Sequence, residues 1–227
     1  MSGYRFAFAI PALDAAATVP RVIQRALAIH PEVIVVDDGS TDGTGAAARA
    51  AGVTVLSHAQ NFGKGRALKT AFDHLFAAGF DAVVTIDADG QHPPEEAPKL
   101  LDAWREGADL VLGTRDHLFA RMSAVRRASN GTSSWLISQV AGTALPDCQT
   151  GFRLYTRALI AAVGFPEARF EAESAVIVRA VRQGFRVVGV PIRLDEPDGR
   201  ATSHYRPVVD SMRIAGAVAR ARFEGRR

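Results

Sequence analysis

Asp81 to Gly113 reads DAVVTIDADGQHPPEEAPKLLDAWREGADLVLG, and its punctuation decides the fold. DAVVTI, residues 81–86, is a short apolar run with the look of a buried strand. PEEAPKLLDAWREG, residues 94–107, reads as a helix, and DLVLG, residues 109–113, as the next strand. Between strand and helix the chain places Asp87 and Asp89 one residue apart, then glycine, glutamine, histidine and two prolines. Residues two apart on a strand point the same way. At a strand end, both carboxylates would face one cleft, where they repel each other unless a cation sits between them. Mg²⁺ or Mn²⁺ suits such a pair, because these ions take one or two carboxylates and fill the remaining positions with water and substrate phosphates. Gln91 would add a neutral oxygen. A plain loop accounts for the same residues: Asp-Gly and Pro-Pro are turn signals, and an aspartate caps a following helix.

The unit repeats outward. Residues 4–10, YRFAFAI, read as a strand, followed by a helix over 18–29 with Val19, Ile23, Ala26 and Leu27 on one side. EVIVV (32–36) is a second strand, TGAAARAAG (44–52) a helix closed by glycine, VTVLS (53–57) a third strand and GRALKTAFDHLFAAG (65–79) a longer helix. Such alternation predicts an α/β domain with a mostly parallel central sheet and helices on both faces. Ligands bind outside the carboxyl ends of strands in such sheets. Chemistry-bearing residues do follow the apolar runs: Pro11, then DDGSTDGT (37–44), DADGQH (87–92) and GTR (113–115).

The second half is less regular. It predicts a helix over 123–142, a loop DCQTGFRLY (147–155) entering a short strand, a helix over 171–184, a strand over 185–192, a polar loop over 193–207 and a basic helix over 206–227. No repeat or linker divides the chain, so residues 1–227 read as one domain. Of 227 residues, 48% are hydrophobic and 22% charged, which excludes a disordered chain. One cysteine, Cys148, excludes an internal disulfide and a cysteine-rich zinc site. The N-terminus lacks the form of a signal peptide, and no apolar stretch is long enough for a membrane span. A protein in solution, or one touching a membrane only at its surface, is expected.

NFGKGRAL (61–68) has Gly63 and Gly65 spaced as in a dinucleotide fingerprint, but Leu68 stands at the third glycine and the motif follows the third strand. That argues against a dehydrogenase and leaves Lys64 as a charge near a ligand or a solvated lysine. Arginines match phosphate oxygens in a fork geometry, which singles out Arg115, Arg126 and Arg127. The six histidines form no H-E-x-x-H, and no G-x-S-x-G or P-loop is present.

Taken in order, IPALD, VVDDGSTDGT, NFGKGRAL, DADGQHPPE, GTR and DCQTGFRLY resemble the family 2 glycosyltransferases of the GT-A fold, closest to the dolichyl-phosphate mannosyltransferase-like, polyprenyl-phosphate subgroup. The resemblance runs from about Ala9 to Arg206. It implies that Asp87, Asp89 and Gln91 hold Mg²⁺ or Mn²⁺ against the donor diphosphate. Asp38 would read the nucleobase, Pro11 and Leu13 would line base and ribose, and Ala88 would lie with Asp87 and Asp89 on the nucleotide sugar. Arg115, Arg127 and His204 would meet the acceptor phosphate, with Asp89, Arg115 and Arg127 carrying catalysis. A hexose would pass from a GDP-mannose or UDP-glucose type of donor to a polyprenyl phosphate on the cytoplasmic face of a membrane, with no nucleic acid involved.

Relatives that glycosylate sugar hydroxyls often carry a paired acid after the GFR strand to act as base. Here that region reads FEAES, residues 170–174, which favours a phosphate acceptor, although Glu171 or Glu173 would remain as bases. Other readings are a transferase with a glycan or small-molecule hydroxyl acceptor, and a nucleotide-sugar binding protein without turnover. The chain departs from the family where Ala15 and Ala16 replace two glutamates and His204 replaces lysine. Its basic end, with Arg213, Arg220, Arg222, Arg226 and Arg227 beside Ile214, Val218 and Phe223, suits an anionic membrane surface or a packed terminal helix.

Overall fold

A computed structural model describes residues 5–114, 138–140, 142, 148, 150–195 and 207–221. The strands are β1 (Phe6–Ala12), β2 (Val33–Asp37), β3 (Thr54–Ser57), β4 (Ala82–Thr85), β5 (Leu110–Thr114), β6 (Arg153–Thr156) and β7 (Val187–Pro191). They form one sheet in the order β3-β2-β1-β4-β6-β5-β7. All neighbours are parallel except β6, which runs antiparallel to both β4 and β5. The parallel sheet expected from strand–helix alternation is therefore present, with one reversed strand inserted. This geometry brings the carboxyl ends of the six parallel strands, and the amino end of β6, to a single edge.

The helices are α1 (Val19–Ile29), α2 (Thr44–Ala50), α3 (Lys64–Ala77), α4 (Ala97–Arg105), α5 (Arg157–Val163), α6 (Glu171–Arg182) and α7 (Pro207–Ala221). Strand residues two apart share a face, and the core divides accordingly. Ala7, Ala9, Ile34, Val36 and Val83 pack with Leu68, Phe72 and Leu75 of α3, Val176 of α6 and Val218 of α7. Phe8, Ile10, Val33, Val35 and Val84 pack on the other side with Val22 and Ile23 of α1, Ala48 of α2 and Leu100 of α4. Each fully buried aliphatic among them contributes about 1.5–3 kcal/mol.

Three local expectations change. Leu27 is only half-buried, and Val22 takes its place in the buried stripe of α1. Prolines 93, 94 and 98 tighten the predicted 94–107 helix, so a 3₁₀ turn over Pro94–Glu96 precedes α4. Helix α5 was not expected. Thr156 caps it, its side chain accepting from Leu159 N at 3.2 Å, and Gly164 follows it at φ +67°. The helix predicted over 123–142 lies mostly outside the described residues. So does the final stretch of the 206–227 helix, beyond Ala221.

Candidate active site

The carboxyl edge of the sheet gathers three loops. The first, 13–18, follows β1 and is laced to the second, 38–44, which follows β2. Asp14 N donates to Ser40 Oγ at 3.0 Å and Thr41 N donates to Asp14 Oδ1 at 2.9 Å. Ala15 N donates to Thr44 Oγ1 at 2.7 Å, and Ala16 N to Asp42 Oδ2 at 2.9 Å. These bonds hold Asp14 at φ +46°, a left-handed conformation that aspartate tolerates better than most residues. Burial disfavours the Asp42 carboxylate, but the Thr44 hydroxyl and the Ala16 amide outweigh it and keep its pKa below the usual range. Ala15 and Ala16 thus act through backbone amides that hold two site loops together.

The third loop follows β4 and carries Asp87 to Gln91. Thr18 Oγ1 donates to Ala88 O at 2.6 Å, tying it to the first loop. Gln91 N donates to Asp89 Oδ1 at 2.9 Å. Beneath it, Gly151 at the entrance to β6 presses on the Asp87 carboxylate so closely that a Cβ at 151 would overlap it. Thr85 Oγ1 donates to Gly151 O at 3.0 Å across the β4–β6 pairing.

Lys64 joins this loop to the far half of the chain. Its Nζ lies 2.7 Å from Asp87 Oδ1 and 2.9 Å from Glu173 Oε2. Burial works against the Lys64 charge, but Asp87 and Glu173 outweigh it and raise its pKa. Burial likewise pushes Asp87 up, yet Lys64, His92 and Arg153 hold its pKa below the ordinary carboxylate range. Arg153, 1% exposed, donates to Thr150 O at 2.7 Å, Glu173 O at 2.6 Å and Cys148 O at 2.9 Å. It also faces Glu173 Oε1 at 3.7 Å.

The glycines beside Lys64 have a packing role. A Cβ on Gly63 would meet Ala168 O at 2.5 Å, and one on Gly65 would meet Glu167 O at 2.5 Å. That close approach to the 167–168 backbone brings the start of α3 to α6 and Lys64 to Glu173. It explains a glycine pattern that only half matches a dinucleotide fingerprint.

Pro11 and Leu13 stand at the end of β1 and just beyond it, and both are half-buried. Asp38 is 3% exposed, and its carboxylate is turned onto the loop after β3: it accepts from Phe62 N at 3.0 Å, Gly63 N at 2.7 Å and His58 Nδ1 at 2.7 Å. His92 is 4% exposed, stacks on Phe152 with ring centroids 6.0 Å apart, and lies 3.5 Å from Thr150 Oγ1. Arg115, Arg126, Arg127 and His204 lie outside the described residues. The structure therefore brings Pro11, Leu13, Asp38, Asp87, Ala88, Asp89 and Gln91 to one edge and adds Lys64, Glu173, Arg153 and His58. The flanking glycines marked Lys64 in the sequence. Glu173 was singled out only as a base for a hydroxyl acceptor, not as the partner of Lys64, and nothing marked His58, because their partners lie far away along the chain.

The donor set fits a hard divalent cation. Asp87 and Asp89 supply two carboxylates on one loop that also carries Gln91, and among the described residues no group of three or more His, Cys, Asp and Glu is placed to hold a metal ion. A pair of this kind suits Mg²⁺ or Mn²⁺ shared with substrate phosphates, and does not suit an ion enclosed by protein ligands alone.

The family model described as glycosyl transferase family 2 matches residues 7–164. Polyprenol monophosphomannose synthase of Mycolicibacterium smegmatis is 32% identical over 205 residues, covering 82% of this chain and 76% of that protein. Undecaprenyl-phosphate mannosyltransferase of Micrococcus luteus is 34% identical over 205 residues, covering 82% of each. Among solved structures, glucosyl-3-phosphoglycerate synthase from Mycobacterium tuberculosis, in complex with Mg²⁺ and UDP, superposes with a TM-score of 0.73 at 23% identity, covering 97% of this chain and 80% of that one.

Proposed function

The chain belongs to glycosyltransferase family 2, and we propose that it transfers a hexose from a nucleotide-diphosphate sugar to a polyprenyl phosphate, inverting the anomeric carbon. The observation that carries the choice of acceptor is the state of the two acids on α6. Glu173 has Lys64 on one oxygen and Arg153 near the other, so it positions cations. Glu171 lines a groove of about 310 Å³ with Met212, Arg213, Gly216 and Arg220, against α7. Neither stands as a base for a sugar hydroxyl. A phosphate acceptor needs none, because it is already an anion at neutral pH. The names of the two relatives, which refer to polyprenol monophosphomannose and to undecaprenyl phosphate, support the same acceptor class.

In this reading Pro11 and Leu13 line the base and ribose, and Asp38 bounds the base end of the cleft. Asp89, with Asp87 and Gln91, would hold Mg²⁺ or Mn²⁺, which when bound neutralises the donor diphosphate and the departing nucleoside diphosphate. Lys64 fixes the Asp87 carboxylate by one oxygen, and Ala88 lies between the two aspartates with its carbonyl held by Thr18. Arg115, Arg127 and His204 are assigned to the acceptor phosphate. One acceptor oxygen forms the new bond to the anomeric carbon as the bond to the diphosphate breaks, and no proton has to be moved. Among the described residues no helix is long and apolar enough to cross a membrane. Helix α7 presents Met212 at 72% exposure beside Arg213, which supports contact with a lipid surface; the cytoplasmic face is the side we propose.

The test is nucleoside diphosphate release from GDP-mannose and from UDP-glucose with Mn²⁺, with and without a short polyprenyl phosphate. Release that requires the lipid phosphate is expected. Release with a sugar hydroxyl acceptor instead, or binding of a donor without release for any acceptor, would overturn the assignment. Arg127→Ala should impair use of the lipid phosphate more than donor binding, and equal loss of both would remove its acceptor role.

A further inference from the structure

His58 lies in no motif, yet it joins two parts of the site. It follows β3, and its backbone N donates to Asp37 O at 2.9 Å, which places the ring beside the loop after β2. The side chain is 12% exposed. Nδ1 lies 2.7 Å from Asp38 Oδ1, and Nε2 lies 2.9 Å from Thr70 Oγ1 on α3. A carboxylate oxygen only accepts, which puts a hydrogen on Nδ1. Asp38 accepts in turn from the amides of Phe62 and Gly63, the two residues before Lys64. A Cβ on Gly39 would overlap the Gln60 backbone, so the 60–63 segment has no slack against the loop after β2. The chain of contacts runs Thr70, His58, Asp38, the 62–63 amides, Lys64 and then Asp87.

We propose that His58 is a positioning residue of the donor site: it orients Asp38 on the 62–63 amides and thereby sets Lys64 against Asp87, without touching substrate. The inference rests on the donor reading above. Its two ends are the groups that reading needs, Asp38 at the base end and Asp87 at the diphosphate end. Without His58, Asp38 Oδ1 keeps only the Phe62 amide among these partners and gains freedom to swing. Helix α3 also loses its Thr70 tie to β3.

Three substitutions separate positioning from general support of the fold. His58→Ala removes both links. His58→Asn places an amide N–H where Nδ1 stood and restores the bond to Asp38. His58→Gln reaches the position of Nε2 and restores only the link to Thr70. For each, the dissociation constants of GDP and UDP with Mn²⁺ are measured by calorimetry, KM and kcat are measured for the better donor, and melting is followed as a control. His58→Ala should weaken binding of the nucleotide that wild type prefers, and raise donor KM, by about tenfold with kcat nearly unchanged, as expected for loss of a hydrogen bond to a charged group. His58→Asn should return to within about threefold of wild type, and His58→Gln should stay near the alanine variant.

His58→Asn as impaired as His58→Ala, or a fall in kcat with KM unmoved, would overturn the proposal. Unaltered nucleotide binding by His58→Ala, with lipid-dependent turnover intact, would remove the relay alone. Failure of wild type to bind either nucleotide would remove the donor reading and the relay with it. If His58→Ala melts too low to assay, the Asn and Gln pair decides, since both keep a polar side chain at the site.

Discussion

The loop from Asp87 to Glu96 is tied down by ion pairs at both ends, and the two ends differ in what surrounds them. At the Asp87 end, Lys64 is shared between Asp87 and Glu173, with side chains 17%, 26% and 9% exposed, and Arg153 at 1% stands behind them. At the Glu95 end, Arg25 bridges Glu95 at 2.7 Å and Asp195 at 2.5 Å, with exposures of 28%, 42% and 39%. The residue types are nearly the same. In the first cluster each charge has lost much of its water and depends on its partners, so removing one strands the others. In the second, water solvates whatever is left, and the pairs are worth little. The first fixes the Asp87 carboxylate at the proposed donor site, whereas the second pins the rim of the loop to the segment leaving β7, where Asp195 N also donates to Gln91 O at 3.0 Å.

The sharpest way to break this contrast is Lys64→Met, which leaves Asp87 and Glu173 without the cation between them. We expect a loss of about 2–4 kcal/mol, somewhat below the cost for a fully buried pair because some water still reaches Asp87. The loss should depend on pH. Asp87 has a depressed pKa in the fold, so its contribution is present above the unfolded value of about 4 and disappears as pH falls through the lower folded value. The gap between wild type and variant is therefore widest near neutrality and narrows below about pH 4. Urea midpoints at pH 7, 4 and 3 measure it, and a gap as wide at pH 3 as at pH 7 would contradict the assignment.

Asp89→Ala comes next and moves function more than stability. Asp89 stands outside the Lys64 cluster, so the urea midpoint should change little. Mn²⁺-dependent affinity for the nucleoside diphosphate should fall at least about a hundredfold, or about 2.7 kcal/mol. Undiminished affinity at saturating Mn²⁺ would take Asp89 out of the metal site.

What the sequence made legible follows the same division. Strand ends are written plainly: the buried run before Asp87 and the acidic turn after β2 announced where the site would lie, and alternation announced the sheet. Strand direction is written weakly. RLYT, four residues of β6, reads alike in a parallel or an antiparallel sheet, so its reversal between β4 and β5 appears only in the register of Thr85 with Arg153. Helix α5 was readable from Thr156 and Gly164 but is only seven residues long. Spacing shows which strand a carboxylate follows, but not whether its oxygens are already taken. Thus Asp38 was found at the site while its bonds to His58 and the 62–63 amides were not. Lys64 was noticed for its glycines, but its partner Glu173 sits on α6, and only the fold brings the two together.

Glu96 tests the boundary between the two ends. Its side chain is 2% exposed, yet its partners are open to water: Arg193 Nε at 2.8 Å is 75% exposed, and Lys99 is 49% exposed. It also accepts from Arg193 N at 3.2 Å. Burial disfavours its charge, but Lys99 and Arg193 outweigh that and lower its pKa. Glu96→Gln keeps the shape and loses the charge, and should cost about 1–2 kcal/mol in urea unfolding. A cost equal to that of Lys64→Met would place Glu96 with the first cluster in spite of its exposed partners.

Arg25→Gln should have the smallest effect, at most about 1 kcal/mol, and that effect should shrink as salt is raised from 0.05 to about 0.5 M, where exposed charges are screened within a few ångströms. The same salt titration should leave the Lys64→Met loss nearly unchanged, because that pair is shielded from bulk ions. Both measurements are needed together. If salt erases the two effects equally, the Asp87 end is solvated like the rim, and Lys64 no longer has a claim to fixing the carboxylate. If only the Arg25 effect fades, the loop has one anchor that sets chemistry and one that trims its outer edge, and donor KM should be unaffected by Arg25→Gln at any salt concentration.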